Sequence, residues 1–213
     1  MNKGFKKRTN YQSPRDSERK LFEIADSQQG FFTAKQAITA GYSEKNHAFH
    51  VHSGNWLREI HGVYRLRSYP QSPESDLVLW SLWSRGKDGE PQGVYSHGTV
   101  LSHYDLSDAN PSRLHMTVPK GFKRSAKSPA ELVLYKADIP KGEIQQMRGY
   151  RMTTVKRALE DLVQEGALPK DIIEQAVREA LKTGHLSIAE FEKSAILRPY
   201  KALLRSSSKR RAS

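Results

Sequence analysis

The sequence predicts an α+β protein, an N-terminal winged helix-turn-helix followed by a mixed α/β C-terminal domain. Three observations carry that expectation. The stretch from Phe31 to Leu66 runs capped helix, glycine, capped helix, then two short strand-like segments around a glycine turn. A helix with one apolar face precedes it. Beyond residue 90, strand-like runs are followed by amphipathic helices, the order of an α+β domain.

Ser17 to Asp26 reads as the first helix. Leu21, Ile24 and Ala25 fall at i, i+3 and i+4 with Phe22 beside them, and the polar stretch Tyr11 to Asp16 leads in. Gly30 carries the chain to Phe31 and Phe32, one of which is expected to pack beneath the helix-turn-helix. Thr33 is placed to cap a second helix ending near Ala40, because its hydroxyl can accept an orphan backbone N–H, and Gly41 stops it. Ser43 then opens a third helix to about Ser53, broken by Gly54 and Asn55. Trp56–Ile60 and Val63–Leu66 form a hairpin across His61-Gly62, the wing.

The third helix of such a fold enters the major groove of DNA while the wing lies on flanking backbone or minor groove. With Ala48, Val51 and one of His47 or His52 turned to the core, Lys45, Asn46, Phe49, His50 and Ser53 face outward. Asn46 can pair with adenine, Lys45 can donate to guanine, and Phe49 can meet a thymine methyl. Arg58, Arg65 and Arg67, with His61 at the wing tip, fall where phosphates or a narrow minor groove would lie. For each arginine the alternative is a solvated strand face. Residues 15–69 are thus expected to be the DNA-binding domain and 70–200 the second domain, with basic, disordered tails at 1–14 and 201–213.

Ser72 and Pro73 start a helix to about Gly86, apolar through Leu77, Trp80, Leu82 and Trp83. Val94-Tyr95 is extended and Ser96 caps the next helix. Leu114–Val118 and Glu131–Ala137 read as strands on either side of a basic surface loop, GFKRSAKSP. A further extended pair is expected around Gly149. Thr153 caps a helix with Val155, Ala158, Leu159 and Leu162 on one side. Another runs from Pro169 to Thr183, with Ile172, Ile173, Ala176, Val177 and Leu181 inward, and a last one starts at Ser187.

The 213 residues and their net charge of +12 suit a nucleic-acid partner. Lys3, Lys6, Lys7 and Arg8 at the start and Arg198, Lys201, Arg205, Lys209, Arg210 and Arg211 at the end carry most of that charge, with no acid among them. Such tails would supply salt-dependent phosphate contact without reading bases, or would be solvated ends. The chain has no cysteine, so disulfides, thiol catalysis and thiolate zinc sites are excluded. No apolar run approaches the roughly 20 residues that span a bilayer, and the start lacks a secretory core, so no membrane partner and a cytoplasmic location are expected.

Catalytic constellations are missing from the sequence. There is no Gly-rich phosphate loop, His-Glu-x-x-His pair or G-x-S-x-G elbow. Asp105 with Asp108, and Glu160 with Asp161, read as solvated acids. Ser96-His97 and Ser102-His103 are adjacent pairs whose side chains point about 100° apart on a helix, so no direct Ser–His hydrogen bond is expected. His47 and His50 are i, i+3 neighbours, but His52 points elsewhere and no carboxylate has the spacing of a third ligand. The expectation is a protein that is not an enzyme, with no catalytic residue, no cofactor and no metal.

Read together, GNWLREIHGVYRL, YSHGTVLSHYDLSD, LHMTVPKG and GYRMTTVKRALEDLV resemble, in that order and over residues 17 to 185, the AbiEi family of antitoxins from type IV toxin–antitoxin and abortive-infection systems. The resemblance implies a winged helix-turn-helix that binds inverted repeats in its own double-stranded promoter DNA and represses it, a homodimer on those repeats being one arrangement. It implies DNA contact from residues 43–53 and 58–67, and antitoxin activity within 94–197 against a nucleotidyltransferase-like cognate toxin. Whether that toxin is touched directly stays open, and the family pattern transfers no catalytic residue. The alternative is a stand-alone winged-helix transcription factor whose second domain dimerises or senses a ligand.

Overall fold

The computed structural model describes residues 13–124 and 127–201, so the basic ends at 1–12 and 202–213 lie outside the described residues. The chain divides into two compact units: Met1–Pro91 with Arg148–Tyr150, and Gln92–Met147 with Arg151–Ser213. The expectation had set a boundary near residue 70; by compactness the helix that follows residue 70 belongs to the first unit.

That unit opens with α1 (Pro14–Ser27), which starts three residues earlier than periodicity suggested. Pro14 sits at the first helical position, where its missing N–H costs nothing, and Ser13 caps the end by accepting the Asp16 N–H at 3.2 Å. After Gly30, Phe31–Thr33 is extended as β1, where only a connection was expected. In α2 (Ala34–Ala40), Thr33 and Gln36 form a reciprocal capping box, and Gly41 ends the helix at φ +108°, a conformation natural to glycine. The single third helix resolves into a 3-10 turn, Glu44–Asn46, and α3 (His47–His52). Ser43 makes no side-chain cap, because the tight turn takes its carbonyl to the Asn46 N–H instead.

The wing strands are β2 (Trp56–Ile60) and β3 (Val63–Leu66), joined at Gly62, whose φ is +70°. β3 is central: β2 pairs with one edge and β1 with the other, antiparallel, with Phe31 opposite Arg65 and Trp56 opposite Leu66. A bulge interrupts the register between Arg58 and Ile60. Leu21, Ala25, Phe32, Ala37, Ala40 and Trp56 form the core. Phe32 meets Trp56 edge-on at 4.9 Å and stacks on Tyr64 at 5.8 Å. The fourth helix, α4 (Ser75–Trp83), begins after Pro73 and ends before Gly86; the Ser75 hydroxyl accepts the Ser72 N–H at 3.1 Å. It packs on β1 and β3.

The second unit contains β4 (Val94–Tyr95), α5 (His97–His103), β5 (Leu114–Val118), β6 (Leu132–Lys136), β7 (Ile144–Gln146), β8 (Arg151–Thr153), α6 (Val155–Glu165), α7 (Lys170–Thr183) and α8 (Ile188–Lys193). Its sheet has the order β6-β5-β4-β8-β7 and is mixed: β5 runs parallel to β6 and β4 parallel to β8, while the β4–β5 and β7–β8 pairs are antiparallel. Thr154, not Thr153, caps α6, because Thr153 ends β8 with no exposure. Tyr95, Leu101, Met116, Met152, Leu159 and Leu162 are buried between sheet and helices.

The paired acids on α6 are not solvated. Glu160 is buried, receiving the Ser194 hydroxyl at 2.6 Å and the Lys156 ammonium at 3.0 Å. Asp161 pairs with Arg157 at 2.8 Å, and the same guanidinium reaches Glu143 at 2.8 Å. Two carboxylates on one guanidinium push the Arg157 pKa above its ordinary value, the Asp161 hydrogen bond first.

Candidate nucleic-acid interface

α3 is seated on the wing sheet by aromatic rings. His47 is 5% exposed, with its ring 5.3 Å from Trp56 and 5.9 Å from Tyr64, and its Nε2 is buried without a hydrogen-bond partner. His50 lies face to face on Trp56 at 4.6 Å and 20°, with Tyr42 edge-on at 5.0 Å. Burial pushes both imidazoles below the ordinary histidine pKa; for His47, Glu44 opposes the shift and His50 adds to it. Neutral rings therefore hold this helix down.

The helical wheel is rotated from the one expected. His47 and Val51 turn inward, whereas Ala48, assigned to the core, is exposed. The reason is the 3-10 turn ahead of α3, which winds three residues per turn instead of 3.6 and shifts every later position. Lys45 and Asn46 are exposed on that turn, and Phe49 is 65% exposed. Ser53 is also exposed, its hydroxyl donating to the His50 carbonyl at 3.2 Å. His50 was expected to face outward; its ring packs on Trp56 instead, because a half-buried neutral imidazole is better placed against indole than in water.

On the wing, Arg58 and His61 are exposed at the tip, with the guanidinium 3.2 Å from His61 Nδ1. Arg67 is exposed at the base and donates from Nε to the Gly54 carbonyl at 2.8 Å. Arg65 departs from expectation. It is held by Glu59 at 2.8 Å and the Tyr69 carbonyl at 3.2 Å, with a side chain 12% exposed, and its charge lies over the Phe31 ring. β1 explains the difference, since pairing on that edge turns Arg65 into a packed position of the sheet. Arg85 is a contributor the local sequence did not reveal: its Nη2 lies 3.4 Å from the carbonyls of both His61 and Gly62, bracing the wing turn from 23 residues downstream.

The second unit holds a polar cluster that overturns one expectation. Ser96 and His97 do bond directly, Oγ to Nδ1 at 2.8 Å, because Ser96 is extended and His97 has φ +52°, so the two are not successive positions of a regular helix. His97 Nε2 lies 3.2 Å from Glu165, and Ser96 Oγ lies 2.8 Å from the Thr117 hydroxyl. Ser96 Oγ thus sits between the His97 ring and the Thr117 hydroxyl, and the His97 ring between Ser96 and the Glu165 carboxylate. Ser96 and His97 are 0% and 2% exposed, so the serine oxygen, already bonded to two side chains, is closed to solvent. The cluster knits β4, α5, β5 and α6 together and offers no open nucleophile. Ser102 turns instead to Asn110, at 3.4 Å.

Among the described residues no group of three or more His, Cys, Asp or Glu side chains is placed to hold a metal ion, and no helix is long and apolar enough to cross a membrane.

None of the curated proteins matches the chain. The crystal structure of RV2827C protein from Mycobacterium tuberculosis is similar in fold, with 10% identity and a TM-score of 0.54 over 85% of this chain and 71% of that one. Residues 19–67, from α1 through both wing strands, match the family described as "Transcriptional regulator, AbiEi antitoxin". Over those residues, fewer than half of the chain, the winged unit is similar to the AbiEi antitoxin family of transcriptional regulators.

Proposed function

We propose that the chain is the antitoxin and autorepressor of a toxin–antitoxin operon. In this reading its winged unit binds the operon's double-stranded promoter, and its second unit counteracts a nucleotidyltransferase-like toxin encoded alongside. The observation that carries the DNA half is a set of exposed side chains in the family-matched segment. Lys45, Asn46 and Phe49 stand exposed at the start of the third helix, and Arg58, His61 and Arg67 stand exposed on the wing. Hydrogen-bonding and apolar groups at a helix beginning suit base edges, while cations on a hairpin suit phosphates. Arg65 and His50, whose side chains face inward, stand outside that set. Binding as a homodimer on inverted repeats belongs to the same proposal, as does a cytoplasmic location.

The test uses the full chain. Lys45→Ala with Asn46→Ala is expected to abolish preference for the promoter over random duplex while leaving rescue of the adjacent gene's toxicity intact. Unchanged promoter preference would refute the assignment of the reading helix. An adjacent gene that is harmless on its own would refute the antitoxin half and leave a plain transcription factor.

A further inference from the structure

Phe49 is more exposed than any other large apolar side chain among the described residues, at 65%. Its ring meets His50 edge-on at 5.6 Å and 77°. His50 lies flat on Trp56, which is itself 2% exposed in the core. Tyr42 closes the ladder with edge contacts to both His50 and Trp56, each at 5.0 Å. An aromatic ring at the surface is thus carried on a stack rooted in the core. Lys45 and Asn46, four and three positions earlier, stand exposed on the 3-10 turn that leads into α3.

We propose that Phe49 is the specificity residue through which this unit recognises thymine, by contact with the C5 methyl group in the major groove, and that His50 is its positioning residue. The inference rests on the DNA-binding reading above. The chemistry of the groove selects the ligand, for a phenyl ring neither donates nor accepts, and the thymine methyl is the one projecting apolar group on the major-groove base edges. Pressed on any other base edge, the ring would cover donors or acceptors without replacing their water. His50 serves as a neutral ring; burial keeps its pKa low, and a charged imidazolium would draw water between Trp56 and Phe49.

The experiment starts with the full chain at neutral pH and duplexes selected from a randomised pool. Each thymine of the best duplex is then replaced singly by deoxyuridine, which lacks only the methyl. At one thymine per half-site the replacement is expected to weaken binding about fourfold, the worth of one buried methyl. Phe49→Ala should bind the thymine and deoxyuridine duplexes equally, and Phe49→Leu should keep most of the difference. His50→Ala should reduce it and His50→Phe restore it. Equal binding of both duplexes by the wild type at every position overturns the proposal while leaving DNA binding standing. Discrimination that survives Phe49→Ala also overturns it, as does a change of oligomeric state by that variant with DNA affinity unchanged. Failure to select any duplex overturns the DNA-binding reading itself, and this inference with it.

Discussion

The His97 imidazole lies flat on the Tyr135 ring, centroids 3.8 Å apart and planes 12° from parallel. That stack fixes the imidazole between Ser96 and Glu165 and holds a residue with positive φ at the beginning of α5. Left-handed backbone at a residue with a Cβ costs on the order of 1 kcal/mol. Four bonded side chains offset the cost.

Ser96→Ala should therefore act on stability. It strips a partner from His97 Nδ1 and from the Thr117 hydroxyl, both buried, and is expected to cost about 2 kcal/mol. Urea unfolding of the full chain measures it. Unchanged stability would mean that the serine serves something other than the fold.

Phe32→Ala should cost about 3 to 5 kcal/mol, the range for deleting a fully buried phenyl ring. Phe32 contacts Trp56 and Tyr64 in the core beneath the wing, so promoter binding should fall in parallel with thermal stability. Phe22→Ala, at an exposed position of α1, should change stability by less than about 0.5 kcal/mol.

Acid should weaken the winged unit. Burial places the folded-state pKa of His47 and His50 below the unfolded value of 6.5, so the unfolded chain takes up protons first. The contribution to stability is complete above that value and is lost as pH falls below it. The melting temperature is expected to decline on going from pH 7.5 to 5.5, with His115 in the second unit acting in the same direction for the same first cause. His47→Met removes one titrating group whose Nε2 has no partner and should flatten the decline; an unaltered profile in that variant would refute the attribution.

Gly62→Ala tests the wing turn. A Cβ there would stand 2.8 Å from Arg85 Nη2, on backbone with φ +70°. The expected penalty is about 1 to 2 kcal/mol, felt as weaker DNA binding at every sequence. Arg58→Ala and Arg67→Ala should each reduce the slope of log affinity against log salt by about one, without altering base preference.

The parts of this fold that were legible in the sequence are those decided by neighbours in the chain. Thr33 and Gly41 bracket α2 by a local bond and a local φ, and His61-Gly62 marks the hairpin for the same reason. What was not legible depends on distant segments or on winding. Phe31–Thr33 becomes a strand only because β3 lies open to it, and that pairing is what engages Arg65. A turn of 3-10 geometry before His47 left Ala48 exposed, while His47, one of the two histidines offered for the core, packs inward; three residues per turn instead of 3.6 is invisible to a wheel drawn for a regular helix. Ser96 and His97 were judged on helical spacing, although the serine is extended. Arg85 reaches the wing turn through space, with no signal in the residues around either.

β1 has a further consequence for the life of the chain on the ribosome. Its partner strand ends at Leu66, more than thirty residues after Phe31, so this sheet cannot close until that length has cleared the exit tunnel. Until then Phe31 and Phe32, both fully covered in the finished protein, are available to chaperones, and a nascent chain stalled before Val63 would present them to proteases.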